Sequence, residues 1–511
     1  MKRWLLAVIA FSLVTSGCSR YKGISEPSEK DGKTEKSQQS TEESEQSTEA
    51  DDGKLPVEVS AEPGKKPVKV KGIYISGYMA GSEGLQAILD KIQGTEINTV
   101  VIDVKNDDGR ITFAMADAPT VNEIGATEKY IKDIDSLMAQ LKARGLYTIA
   151  RVVAFRDPYL AEKKPEWALK NKDGSLHRDN KGLAWVNPYR TEVWDYLVEV
   201  GTEASKAGFD EVQFDYIRFS TDSSMKQVVF DEKDTKGRSK TDIITEFIQY
   251  AYDKLSSRNI FVSADVFGTI IGSKVDAEAV GQIYQEMASH LDYICPMIYP
   301  SHYGDGNFGI DHPDTEPYRT IRAALKLSRQ DLASAREAGK HQAIVRPWLQ
   351  DFTASYLEHH ITYGAKEVRA QIQAVYDAGY DEWILWSASN RYTWDGFLSR
   401  EAAKEEAEEL ARIRETEETT SVPTKVPAEA AAGSSTEAQS EAQPEVPTGL
   451  STEVSTEVST EGQTESKEEK TKKSLEGSTA AETEQETRAE NKKKTRTKPD
   501  VVIVTTGGLR D

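Results

Sequence analysis

The stretch EVQFDYIRF, residues 211–219, decides the fold of this chain. Val212, Phe214 and Tyr216 alternate with polar side chains. This period of two, in a run rich in β-branched and aromatic residues, predicts a β-strand. A long amphipathic pattern over residues 191–207 precedes the stretch and ends at a glycine, which predicts a helix and its stop. The stretch is therefore a strand that follows a helix, as in a repeating βα architecture.

The same alternation of strand and helix patterns recurs on both sides of this stretch. Eight strands joined by seven helices predict the α/β class and a (β/α)₈ TIM barrel flanked by disordered tails. The predicted strands are Val70–Ser76, Thr99–Val104, Tyr147–Val153, Glu211–Phe219, Ile260–Phe267, Tyr293–Met297, Ala343–Trp348 and Glu382–Trp386. The predicted helices are Gly84–Gln93, Tyr130–Ala143, Thr191–Ala207, Thr241–Leu255, Val280–Ser289, Tyr318–Ala338 and Lys366–Ala378.

Two features bear on alternatives to this barrel. A doubly wound sheet would carry a glycine-rich phosphate turn after its first strand, and Ser76-Gly77-Tyr78 is not that fingerprint. The run Glu401–Arg414 is either the helix that closes the barrel or a solvated helix that leads into the tail.

The acidity of the chain lies largely in its two ends. Residues 19–66 hold 12 acidic and 8 basic side chains and residues 401–511 hold 25 and 15; with Lys2 and Arg3 these ends account for −12 of the formal −21, which leaves −9 on residues 67–400. This balance argues against nucleic acid as a partner. Both ends are low in apolar residues, so we expect a disordered linker at 19–66 and a low-complexity disordered tail at 415–511 around a barrel at 67–414.

Residues 1–18 have the pattern of a secretory leader. Lys2 and Arg3 precede a short apolar run, and small residues precede a lone Cys18. This arrangement resembles a bacterial lipoprotein signal, although Thr15 stands where leucine is usual. The resemblance implies lipidation at Cys18 and an extracytoplasmic protein on the bacterial membrane, with secretion after ordinary cleavage as the alternative.

Cysteines and histidines give no spacing typical of a metal site. Cys18 and Cys295 are the two cysteines, and lipidation of the first would leave no disulfide partner for the second. His302 and His312 share one loop but have no carboxylates at ligand spacing, so the sequence predicts neither a metal site nor a cofactor. Calcium at the loops 107–109 or 305–307 stays open, since Asp-Gly is first of all a turn signal.

Acidic and aromatic side chains follow several of the predicted strands, where barrel enzymes keep their chemistry. Paired carboxyl groups cleave glycosidic bonds, and aromatic faces stack on sugar rings, so this set predicts a glycosidase. The candidate catalytic residues are Asp215, Asp265, Asp103 and Asp351. The candidate substrate-binding residues are Arg151, Arg218, Tyr299, His302, Trp348 and Trp386, with pairing to the acids as the alternative for the two arginines.

Seven runs in a fixed order resemble a known family. They are KGIYISGYMAG, VIDVKNDDGRI, FDYIRFS, SADVFG, CPMIYPSHY, RPWLQDF and WILWSASNRY, and they span residues 70–392. They resemble a bacterial family that is assigned to the glycoside hydrolases, has an α-amylase-like barrel and has long been classed as a domain of unknown function. One departure is Ser220, where the family pattern has proline. The resemblance implies a barrel and a glycosidase activity.

The resemblance also implies roles for the carboxyl groups. In α-amylase-like barrels the aspartate on strand four is the nucleophile, which implies Asp215 as nucleophile or general base. The acid of those enzymes is a glutamate on strand five, for which Asp265 is a shorter substitute, and Asp351 matches their third carboxylate. Asp103 is a rival partner. Capping of a loop by Asp103 and of the next helix by Asp351 are the structural alternatives.

The sequence therefore predicts a glycoside hydrolase that acts on a cell-wall or extracellular polysaccharide or oligosaccharide through two carboxyl groups. The alternative is a non-catalytic carbohydrate-binding lipoprotein with a barrel body. Retaining and inverting mechanisms stay open, since only the separation of the carboxyl groups distinguishes them.

Overall fold

The computed structural model describes residues 66–337 and 341–420 of the chain. Eight parallel strands close into a barrel, because each strand pairs with the next and β8 pairs with β1. The predicted (β/α)₈ barrel is confirmed. The strands are β1 Lys71–Ile75, β2 Thr99–Lys105, β3 Tyr147–Val153, β4 Glu211–Asp215, β5 Phe261–Phe267, β6 Tyr293–Met297, β7 in the two pieces Ile344–Val345 and Trp348–Gln350, and β8 Trp383–Trp386.

Helices surround the barrel, and a continuous apolar core fills the space between helices and strands. Among the described residues, no helix combines the length and the apolar character needed to span a membrane. The helices are α1 Gly77–Ala80, α2 Gly84–Ile92, α3 Pro119–Ile124, α4 Ile134–Ala143, α5 Pro158–Lys163, α6 Thr191–Ala207, α7 Glu232–Thr235, α8 Lys240–Ser256, α9 Lys274–Val280, α10 Tyr284–Ala288, α11 Pro317–Glu337, α12 Ala365–Asp377 and α13 Arg400–Thr420.

A second apolar cluster fills the inside of the barrel. Its side chains come from alternate positions of the strands, such as Tyr147 and Ile149 on β3. The period of two along each strand produces this arrangement, since successive side chains point to opposite faces. The same alternation directs Arg151, Asp215 and Asp265 into the barrel near the carboxyl ends of their strands.

The opposite end of the barrel is closed by a buried ion triad. The guanidinium of Arg346 donates from Nη1 to Oε1 of Glu211 at 2.9 Å and from Nε to Oε2 of Glu382 at 2.8 Å. Glu211 is the first residue of β4, and Glu382 immediately precedes β8. The triad therefore lies at the amino ends of the strands, opposite the carboxyl-end rim.

Local backbone geometry changes several predicted boundaries. The predicted strand over residues 211–219 is too long, because Tyr216 has a φ of +54° and ends β4 at Asp215. The helix predicted over residues 280–289 is wrong, because Gly281 has a φ of +84° and separates α9 from α10. Pro347 interrupts β7, since proline donates no backbone hydrogen bond.

The ends of two other helices also differ from expectation. The helix predicted from Tyr130 begins at Ile134, where the Asp133 side chain caps it by accepting a hydrogen bond from the Ser136 amide at 2.9 Å. The last helix, α13, runs to Thr420 and is joined to α12 by the ion pair of Arg369 and Glu406 at 2.9 Å. The predicted leader with Cys18, the linker and most of the acidic tail lie outside the described residues.

Candidate active site

The carboxyl ends of the strands surround a cavity that opens to solvent. Its lining combines acidic, cationic and aromatic side chains from the six strands β3 to β8 and from the loops that follow β2, β4 and β6. The lining residues are Asp107, Arg151, Asp215, Tyr216, Arg218, Asp265, Phe267, Met297, Tyr299, Trp348 and Trp386. A neighbouring depression shares three of these residues, so the two form a continuous surface.

Asp215 is held at the end of β4 by N–H donors on both of its carboxyl oxygens. Nε and Nη2 of Arg151 donate to Oδ2 at 3.0 and 2.6 Å, and the Tyr216 amide donates to Oδ1 at 2.6 Å. The positive φ of Tyr216 turns the chain at this point, a conformation that costs energy for a bulky side chain and is often found at functional sites. The strained turn and the guanidinium together fix the Asp215 carboxyl group.

Arg151 connects three acidic side chains. Besides Asp215, its Nη1 donates to Oδ1 of Asp103 at 2.7 Å and approaches Oδ2 of Asp107 at 3.4 Å. A register shift in β2 between Asp103 and Lys105 lies beside this contact, as bulges often do at barrel rims. Burial lowers the pKa of Arg151, but the three carboxylates outweigh burial and hold that pKa well above its usual value. The guanidinium is a permanent charge in the wall of the cavity.

Asp265 on β5 lies in a different environment from Asp215. Its Oδ1 accepts a hydrogen bond from Nε1 of Trp348 at 2.6 Å, and its side chain is 2% exposed. Burial, followed by the negative charge of Asp215, raises the pKa of Asp265 well above its usual value. Asp265 therefore keeps its proton to a higher pH than an ordinary aspartic acid and can donate that proton inside the cavity.

Two of the four predicted acids do not line the cavity. Asp103 lies behind Arg151, where Oδ2 accepts a hydrogen bond from the Tyr74 hydroxyl at 2.6 Å. Burial raises the pKa of Asp103 to about 6. Asp351 accepts hydrogen bonds from the amide and the hydroxyl of Thr393 at 2.9 and 2.6 Å, and so holds the loop after β8.

Four of the candidate binding residues form aromatic and cationic walls of the cavity, beside Arg151. Trp386 stacks on Tyr74 with ring centroids 4.2 Å apart and meets Trp348 edge to face at 5.7 Å. Tyr299 lies on the same wall. The guanidinium of Arg218 lies 4.2 Å from the ring centroid of Phe267. Trp386 is partly exposed and offers a ring face to a bound molecule, whereas Trp348, Tyr299 and Arg218 are buried and line the wall with little exposed surface.

His302 is the one candidate binding residue outside the lining. Its Nδ1 lies 3.0 Å from the Ser301 hydroxyl, and its ring contacts those of Tyr299 and Phe352. Burial lowers the pKa of His302 to about 4, so the imidazole is neutral near pH 7. His302 therefore packs against Tyr299 from outside the cavity.

The sequence did not indicate the part that Asp107 takes in the cavity. Its carboxylate pairs with Arg151 and Arg156, and these charges lower its pKa against the opposing effect of burial. The sequence leaves calcium open at this Asp-Gly turn, and in the structure Asp107 is paired with two arginines. Asp107 follows the β2 bulge by three residues, and no sequence pattern marks that bulge.

Residues 72–392 match the protein family described as "Putative glycosyl hydrolase domain". The chain belongs to this family. The match covers the barrel from β1 to the loop after β8 and includes every residue that lines the cavity. The glycosidase class that the sequence predicted is thereby confirmed at the level of the family. The chain has no match among the curated proteins.

Several solved structures are similar to the chain. A hypothetical protein from Ruminiclostridium thermocellum ATCC 27405 is 40% identical over 38% of this chain and 97% of its own, with a TM-score of 0.35. The glycoside hydrolase domain of PgaB (BpsB) from Bordetella bronchiseptica is 12% identical over 68% of this chain and 98% of its own, with a TM-score of 0.45. The α-galactosidase TtGalA from Thermus thermophilus is 13% identical over 68% of this chain and 63% of its own, with a TM-score of 0.39. The family assignment rests on the family match and not on these likenesses.

Proposed function

We propose that this chain hydrolyses glycosidic bonds of a cell-wall or extracellular polysaccharide, with Asp265 as proton donor and Asp215 as nucleophile or general base. The observation that carries the proposal is the contrast between the two acids in one cavity. Asp215 accepts N–H donors at both oxygens, whereas burial and the neighbouring charge raise the pKa of Asp265. Two carboxyl groups with different environments are what the acid and base roles of a glycosidase require.

The chemistry follows from these positions. The Asp265 carboxyl group gives its proton to the glycosidic oxygen as the bond between that oxygen and the anomeric carbon breaks. Asp215 either bonds to the anomeric carbon itself, forming a glycosyl ester that water then hydrolyses while Asp265 takes the proton of that water, or takes a proton from a water molecule whose oxygen forms the new bond to that carbon. The positive charge that develops on the sugar faces the acidic side of the cavity, where Asp215 and Asp107 lie.

The aromatic walls favour a sugar ring as the ligand. Trp348, Trp386 and Tyr299 border the same cavity as the two acids. Flat rings of this kind pack against the C–H faces of pyranoses, while hydroxyl groups bond to the charged side chains. A ring bound between these side chains would bring its anomeric carbon beside Asp215 and Asp265.

The location that we propose is the outer side of the bacterial membrane. The basic start, the apolar run and Cys18 support lipidation, and the polar residues 19–66 would hold the barrel away from the surface. A polymer of the cell wall or the surroundings is then the glycan within reach.

The test uses the full chain with Asp215→Asn and Asp265→Asn, and with Asp90→Asn as matched control on the exposed end of α2. A panel of bacterial and environmental polysaccharides is incubated with each protein, and released oligosaccharides are measured by mass spectrometry. We expect the two cavity variants to lose about 10²- to 10⁴-fold in rate and the control to match the wild type. Undiminished hydrolysis in both cavity variants would remove these acids from catalysis. Glycan binding by the wild type without any turnover would instead support the carbohydrate-binding alternative.

A further inference from the structure

A cluster of three potential metal ligands lies in two loops at the carboxyl-end rim of the barrel. Asp305 and His312 belong to the loop between β6 and α11, and His359 belongs to the loop between β7 and α12. One ligand atom from each residue lies within 4.8 Å of the other two. His312 and His359 are 47 positions apart, so no local spacing in the sequence indicates this meeting.

The contacts inside the cluster leave the His312 nitrogen without an ordinary partner. Nδ1 of His312 is shielded from solvent and makes no hydrogen bond, although it lies 3.4 Å from Oδ1 of Asp305. The His312 ring stacks on the His359 ring with centroids 3.7 Å apart. A shielded nitrogen beside a carboxylate and a second imidazole is a position in which a cation would supply the missing partner.

The two loops are held together independently of the cluster. Gln350 donates from Nε2 to Oδ1 of Asp314 at 3.0 Å, and the Tyr363 hydroxyl donates to the Asp314 carbonyl at 3.1 Å. The His312 carbonyl accepts a hydrogen bond from the Thr315 amide at 2.9 Å, which fixes the backbone at the cluster. The backbone that carries His312 is therefore already in place, which lowers the cost of binding at this ligand.

We propose that Asp305, His312 and His359 bind a zinc ion. Two imidazoles and one carboxylate are a ligand set that suits Zn²⁺, with a water molecule as fourth ligand. Zinc-bound N and O atoms in a tetrahedral site lie about 3.3–3.6 Å apart, so the side chains close in by about 1 Å. Asp305 and His359 are exposed, and their exposure gives the ion a path of entry. Calcium does not fit this set, because it takes oxygen ligands.

The ion would join the loop after β6 to the loop after β7 next to the cavity. Tyr299, which lines the cavity, lies in the first loop, and Phe352 lies in the second. The two rings meet with centroids 6.0 Å apart. Zinc would thus stabilise the wall that carries Tyr299, and its effect would appear in stability and in binding, apart from the acid–base chemistry of Asp215 and Asp265.

The experiment measures zinc binding to the purified full chain after treatment with a chelator. Competition with a chromogenic chelator gives affinity and stoichiometry, and thermal unfolding with and without Zn²⁺ gives a second readout that needs no substrate. The variants are His312→Ala and His359→Ala. The control is His290→Ala, a histidine just before β6 at the opposite end of the barrel.

We expect one zinc ion per chain and a higher unfolding temperature with zinc in the wild type and the control. Each cluster variant should bind zinc at least about 10-fold more weakly and lose the rise in unfolding temperature. Ca²⁺ should produce neither effect. Absence of zinc binding by the wild type, or binding that the two cluster variants leave intact, would overturn the proposal.

Discussion

The indole N–H of Trp348 on β7 donates a hydrogen bond to Oδ1 of Asp265 on β5, with 2.6 Å between the two atoms. The two strands are separated by β6, so the bond crosses the inside of the barrel. Burial and the charge of Asp215 raise the pKa of Asp265, and this hydrogen bond opposes them. The pKa of the proposed proton donor is therefore set by a balance that a single substitution can change.

Replacing Trp348 by phenylalanine should move the alkaline limit of activity to higher pH. The variant lacks the indole donor that lowers the pKa of Asp265, so the carboxyl group keeps its proton further into the alkaline range. The measurement is the pH dependence of kcat/KM, which reports groups of the free enzyme. Trp383→Phe is the control, because Nε1 of Trp383 donates to the Tyr376 hydroxyl on the outer side of the barrel. An alkaline limit that stays in place or moves to lower pH would contradict this account.

The raised pKa of Asp265 should also appear in the stability of the protein. The folded state holds this proton over a pH range in which the unfolded chain has lost it. The contribution is complete below the unfolded pKa of about 4 and is lost as the pH rises through the folded pKa. The unfolding free energy of the wild type minus that of Asp265→Asn should therefore fall as the pH rises from about 4, by at most ~1.4 kcal/mol per pH unit. Urea unfolding of both proteins from acidic to neutral pH measures this quantity, and a rise of it with pH would refute the account.

The side chains inside the barrel could be predicted from the sequence because period-two alternation decides which face each one occupies. Asp215 and Asp265 stand in such runs, and both line the cavity. Asp351 stands beyond the end of β7, where alternation no longer applies, and its carboxylate turns to Thr393. A position just after a strand thus predicts that a residue lies at the rim, but it does not predict the direction of its side chain.

Two other features of the rim had no local signal. The positive φ of Tyr216 arises where β4 must turn, in a residue type that rarely adopts it, so the alternating pattern continued past the true end of the strand. His312 and His359 meet because two loops are joined through Asp314, which depends on contacts across the fold. Such contacts between distant loops leave no periodicity in the sequence.

Replacing Arg151 by methionine should destabilise the folded protein by about 3–5 kcal/mol, because the guanidinium is the partner of buried carboxylates. Asp103 and Asp215 would then lie in the barrel without their shared cation. The measurement is the free energy of unfolding from urea titration. Adding Asp103→Asn to the variant removes one of the unpaired charges and should recover part of the loss. A double variant as unstable as the sum of the two single variants would show that Arg151 and Asp103 are not coupled.

Replacing Arg346 by methionine should cost a similar ~3–5 kcal/mol while it leaves the turnover of the folded enzyme unchanged. This guanidinium is the partner of Glu211 and Glu382 at the amino ends of the strands, and none of the three lines the cavity. Urea unfolding gives the loss of stability, and kcat is measured at a temperature where the variant remains folded. The added substitutions Glu211→Gln and Glu382→Gln should restore part of the stability, since they remove the charges left unpaired. A fall in kcat without any change in the folded fraction would mean that the ion triad supports the geometry of Asp215 through β4, and would place both ends of that strand in one functional unit.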